Sequence, residues 1–106
     1  MRQFIREQMI QNAAANKGRD AIADAVANCT EGDMVSGRLL KLELETAGYV
    51  IAETPRKVLT RVDVSKDDRV VAYGESHDAS DALLQAIAAY LRELPVVEEV
   101  AQPVAV

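Results

Sequence analysis

Glu75, Ser76, His77 and Asp78 place two carboxylates, a hydroxyl and the only imidazole of the chain in one unbroken run. These are the residue types of a hydrolytic triad. A triad works because base, nucleophile and orienting acid arrive from separated positions and meet in space. Four consecutive residues do not meet in this way. The run reads instead as the approach to a helix, with Ser76 or Asp78 capping it and His77 exposed. His77 and Asp81 are four apart, a spacing at which two side chains on one helix share a metal, and Glu75 is nearby. A structural zinc site, however, takes four ligands, often Cys or His, and one imidazole with carboxylates falls short of that. No metal and no cofactor are expected, and the chain is read as a non-enzyme.

Gly32-Asp33-Met34-Val35-Ser36-Gly37-Arg38 has the glycine spacing of a phosphate-binding loop. Arg38-Leu39 stands where that loop needs Lys followed by Ser or Thr, so nothing reaches a terminal phosphate or its magnesium. The segment also follows a helix instead of a strand, and a simple loop is expected. Cys29 is the only cysteine. It excludes an intrachain disulfide and suits a reducing compartment. A small buried thiol on a helix is its expected role.

The elements that hold these residues follow from periodicity. Ile5, Met9 and Ala13, then Ala21, Ile22, Ala25, Val26 and Cys29, recur at helical spacing. Gly18 between them leaves either one bent helix or two. Thr30-Glu31-Gly32-Asp33 is a break. Residues 36–47 carry Leu39, Leu40, Leu42 and Leu44 among helix formers and stop at Gly48, so a helix is preferred over the strand that the alternating leucines would also allow. Tyr49-Val50-Ile51-Ala52 reads as a strand closed by Thr54-Pro55. Val58, Thr60, Val62 and Val64 alternate with Leu59, Arg61 and Asp63, the period of a half-buried strand. Ser65-Lys66-Asp67-Asp68 is a polar connection to Arg69-Val70-Val71-Ala72-Tyr73, which Gly74 ends. Asp78 caps the last helix, whose stripe of Leu83, Leu84, Ile87, Leu91 and Leu94 is stopped by Pro95.

The order predicts an α+β fold: N-terminal helices, a three-stranded antiparallel meander and a C-terminal covering helix. A single domain spans residues 1–94. Residues 95–106 are expected to be a mobile tail, whose valines could instead pair with an exposed strand edge.

Leu39-Leu40-Lys41-Leu42-Glu43-Leu44-Glu45-Thr46-Ala47-Gly48-Tyr49-Val50 resembles the end of the recognition helix and the start of the wing in winged-helix DNA-binding proteins. That resemblance implies a DNA contact through residues 36–47 and the hairpin 56–69, where Arg56, Lys57, Arg61 and Lys66 would meet phosphates. Against it, Arg38 and Lys41 are offset by Asp33, Glu43 and Glu45 on the supposed reading helix, and acidic helices repel DNA. Residues 40–51, and Val-Val-Ala-Tyr-Gly-Glu-Ser at 70–76, are also similar to segments of small phage and prophage proteins. This resemblance implies an accessory or inhibitory factor that binds a host or phage macromolecule.

At 106 residues the chain is long enough for one modest core. Hydrophobic residues make up 49% and charged residues 27%, which excludes disorder. Seventeen alanines and thirteen valines against nine leucines, one Phe and no Trp make that core thin, and a homodimer is expected. Net charge is −5, with segments 1–19 and 55–72 carrying +3 and +2. An acidic whole disfavours nonspecific phosphate binding, although the basic segments keep a local nucleic-acid contact possible. No apolar run is long enough to span a membrane, and no secretory signal opens the chain, so a cytoplasmic protein is expected. Of the tyrosines, Tyr49 and Tyr90 read as core-edge residues and Tyr73 as an exposed contact. The expected function is protein–protein interaction, with Tyr73, Glu75, His77, Arg56, Lys57 and Arg61 as the candidate binding residues.

Overall fold

The computed structural model describes residues 2–94, and the expected tail at 95–106 lies outside the described residues. Two helices fill the first segment: α1 (Gln3–Ala15) and α2 (Ala21–Asn28). Gly18 separates them with φ +82°, a conformation that side-chain-bearing residues rarely adopt. Its amide donates to Asp24 Oδ1 at 2.6 Å, which ties the connection to α2. Asp20 caps α2, its Oδ1 accepting from the amides of Ile22 and Ala23 at 2.9 and 3.0 Å.

Where the sequence predicts only a break, β1 (Thr30–Glu31) and β2 (Met34–Val35) form a two-rung antiparallel hairpin around Gly32. Ser36 then caps α3 (Gly37–Thr46), its Oγ accepting from the Leu39 amide at 3.3 Å. The leucines settle the choice of helix over strand. Leu40 and Leu44, four apart, are fully buried, whereas Leu39 and Leu42 face outward.

β3 (Val50–Pro55), β4 (Thr60–Lys66) and β5 (Arg69–Ser76) form an antiparallel meander in that order. All three strands differ from the sequence reading at one end or both. β3 runs on through Thr54 and Pro55, because an edge strand tolerates a residue that lacks an N–H. β4 begins at Thr60 instead of Val58, which sits in a tight turn closed by Arg56 N donating to Leu59 O at 2.8 Å. β5 continues through Gly74 to Ser76, and Ser65 and Lys66 stay paired with Val70 and Arg69. The hairpin loop therefore shrinks to Asp67 and Asp68, with φ +54° and +65°. Positive φ at both positions matches the twist of the flanking strands but costs a residue that carries a Cβ.

α4 (Ala79–Arg92) starts at the predicted cap, where Asp78 Oδ1 accepts from the Asp81 amide at 2.7 Å. It covers one face of the sheet, packing on β4 and β5, while its other sides meet α1, α2 and α3. Val62, Val64 and Ala72 are buried from the sheet, and Ala82, Leu83, Ala86, Ile87, Ala88 and Leu91 from α4. The fold is thus α+β, with helices gathered on one side of a short sheet. The approach of α4 to β5 is close enough that a Cβ on Gly74 would collide with the Ala82 carbonyl oxygen and lie 2.7 Å from the Ala86 amide nitrogen. One turn beyond Ala86 on α4, the Tyr90 hydroxyl donates to Asp20 Oδ2 at 2.7 Å, so one carboxylate both caps α2 and anchors α4. Burial first, and then the hydrogen bond to Asp20, push the Tyr90 phenol above its ordinary value.

Gly74→Ala is expected to destabilise the fold by about 2 kcal/mol, because the collision is with backbone on a packed helix. Asp68→Gly is expected to stabilise it by about 0.5–1 kcal/mol by relieving the left-handed turn, and urea unfolding checks both. Tyr90→Phe should cost about 1 kcal/mol at neutral pH. A phenol raised in the folded state lends stability that is fully present below its unfolded value of about 10 and is lost as pH rises beyond it. The stability gap between wild type and Tyr90→Phe should therefore narrow in unfolding curves taken above about pH 10.

Candidate docking surface

Strand alternation sends one set of side chains into the core and the other into solvent. The register places the outward set in three rows across the sheet: Thr54, Arg61 and Glu75; Ala52, Asp63 and Tyr73; Val50, Ser65 and Val70. A bulge between Val64 and Ser65 sets Val71 out of register, which keeps Val70 in the outer row opposite Ser65. Val50, Val70 and Tyr73 are 62%, 57% and 58% exposed, large apolar groups left wet on a well-formed sheet.

The charges of this face are paired among themselves. Arg61 reaches Asp63 with Nε and Nη2, each 3.0 Å from Oδ1, and its guanidinium carbon lies 4.2 Å from the Tyr73 ring centroid. Cation and ring attract because the ring face carries the negative part of its quadrupole. Arg56 extends from the turn after β3 to bring Nε within 3.9 Å of Glu75 Oε2. Off this face, at the hairpin end, Lys66 Nζ donates to the Ala47 carbonyl at 3.2 Å and lies 4.7 Å from the Tyr49 ring centroid. Burial first, then Asp20 and Asp67, push the Tyr49 phenol upward.

Of the residues singled out from sequence, Arg56, Arg61, Tyr73 and Glu75 share this face. Lys57 and His77 are exposed at its margin and make no hydrogen bond or ion pair among the described residues. Ser76 donates to Asp81 Oδ2 at 2.6 Å, and Gln85 donates to the same oxygen at 2.7 Å. Burial alone would raise the Asp81 carboxyl; hydrogen bonds, those from Ser76 and Gln85 included, hold it below its ordinary value. The hydroxyl proton of Ser76 is thus directed at a carboxylate, away from His77. His77 also precedes the cap of α4, so its four-residue separation from Asp81 does not bring the two onto one helix face. Among the described residues no group of three or more His, Cys, Asp or Glu side chains converges.

Other sequence candidates have structural positions. Cys29 is the buried C-cap of α2, and burial, then Glu43, raises its thiol, which disfavours the reactive thiolate. Gly32 turns the β1–β2 hairpin, and Gly37, just after the Ser36 cap of α3, lies where a Cβ would collide with the Ser80 hydroxyl, which accounts for the glycine spacing at 32–38. Sequence reasoning missed Val50 and Val70 on the open face. Their signal was available only through register, since both lie opposite Ser65. Among the described residues no helix is long and apolar enough to cross a membrane. No family model, curated protein or solved structure matches the chain.

A double-mutant cycle on Arg61→Ala and Tyr73→Ala is expected to give a coupling of about 0.5–1 kcal/mol in urea unfolding.

Proposed function

We propose that the chain is a non-enzymatic protein-docking module of the accessory or inhibitory kind that its phage-protein resemblance implies, and that it acts through the open face of the β3–β4–β5 sheet in the cytoplasm. The observation that supports this reading is the row structure of that face: wet Val50, Val70 and Tyr73 beside charges that are already paired within the chain. A protein partner buries such a surface without stranding a charge, because Arg61 and Asp63 neutralise each other and Tyr73 offers a rigid amphipathic anchor. The partner chemistry that fits is a flat protein surface with an apolar centre and a polar rim. The lone buried thiol of Cys29 supports a reducing compartment.

DNA binding through residues 36–47 and the hairpin 56–69 draws less support. Lys41 Nζ is 3.3 Å from Glu53 Oε2, and Arg56, Arg61 and Lys66 are engaged as described. The outward side of α3 presents Leu39, Leu42 and Glu45 where a reading helix needs donors for base edges.

Affinity capture from a lysate of the native host should enrich one protein on the wild-type chain, and Tyr73→Ala should reduce that recovery about tenfold or more, as expected for an interface hot spot. Equal recovery by both chains would remove the open face from the interface. A gel shift on duplex DNA at low salt is expected to show no complex.

A further inference from the structure

We infer that the outward face of α3 is a self-association surface, which joins two copies of this chain around a two-fold axis at Leu42. The inference concerns a different surface from the sheet and stands whether or not the sheet docks a partner. α3 is already fully used on its inner side, where Leu40 and Leu44 are 0% exposed. At 100° per residue Leu42 points almost directly away from those two, with Leu39 and Thr46 beside it. Leu39 and Leu42 are 52% and 55% exposed, and Met34, which shares a shallow surface depression with Leu39, is 56% exposed. Isolated wet leucines are ordinary, but Leu39 and Leu42 exposed together on α3, with Met34 beside Leu39, are not explained by the monomer.

The occupant follows from charge. Arg38 and Glu45 flank Leu42 on the same outward side, and neither forms an ion pair among the described residues. The neighbouring charges on α3 are engaged, Glu43 with Asn28 and Lys41 with Glu53. Arg38 lies about 6 Å before Leu42 along the helix axis and Glu45 about 4.5 Å after it. An antiparallel copy related by a two-fold axis through Leu42 therefore sets Arg38 of each protomer against Glu45 of the other, with the leucines packed between. A two-fold interface must be complementary to itself, and this sequence of cation, apolar centre and anion meets that condition. The patch is one short helix plus Met34, so the dimer is weak and concentration-dependent.

Sedimentation of the full chain over the micromolar to millimolar range should show reversible passage from monomer to dimer. Leu42→Glu should raise the dissociation constant at least tenfold, and Arg38→Glu or Glu45→Arg alone should raise it several-fold. The double variant Arg38→Glu with Glu45→Arg should return it to near the wild-type value. All three positions are exposed, so an unchanged far-UV circular dichroism spectrum and thermal midpoint are expected, and they confirm that each variant folds. Tyr73→Ala should leave the dimer intact, which separates this surface from the sheet face. A chain that stays monomeric throughout overturns the inference, as does a dimer indifferent to Leu42→Glu, or single charge reversals that the double variant does not rescue. A monomer in which the Leu42 methyls are shielded from solvent assigns the stripe to another segment of the same chain, and overturns it equally.

Discussion

Two backbones meet at Gly74 with no side chain between them, and the rest of the architecture depends on that approach. With β5 against Ala82 and Ala86, α4 lies low enough on the sheet for small residues to fill the seam. Its larger side chains, Leu83, Ile87 and Leu91, are then buried among the other helices and the sheet. The same placement brings Tyr90 to Asp20, so the start of α2 is held by a residue seventy positions away. α4 is therefore both the floor of the sheet and the wall against which α1 and α2 pack.

A core rich in alanine releases little free energy per side chain, since burial scales with apolar area at ~25 cal/mol per Å². Seven of the nineteen buried apolar residues described are alanine, and they permit close contact where bulk is missing. Close contact recovers dispersion energy that a looser packing of the same residues would forgo. Large apolar groups outside the core include those of two wet surfaces, the sheet face around Tyr73 and the α3 face around Leu42, with Phe4 and Val58 exposed apart from them. Burying either surface would add apolar area that the folded chain leaves wet.

Periodicity was enough to read the element order, because Leu83, Ile87 and Leu91 repeat at helical spacing and Val62 and Val64 at strand spacing. The cap at Asp78 was equally legible from its residue type. Gly74 was not. In sequence a glycine after a run of β-branched residues signals an end, whereas here it marks the strand position that α4 touches, a tertiary requirement invisible to local rules. The β1–β2 pair was hidden for a similar reason, since two residues per strand are too few to display a period. Of the candidate site, Tyr73, Arg61, Arg56 and Glu75 were recognisable by type and exposure pattern. Their pairing needed the strand register, which alone puts Arg61 opposite Glu75 and Asp63 opposite Tyr73.

The position of α4 along the chain also bears on how the molecule is made. Among the described elements it is the last to leave a ribosome, yet the helical layer and the inner side of the sheet both need it. The layers that carry Val62, Val64, Met9 and Ile22 accordingly have no α4 to pack against until residues near 92 have emerged. A nascent chain of this design exposes its apolar interior for longer than one whose layers close in the order of synthesis.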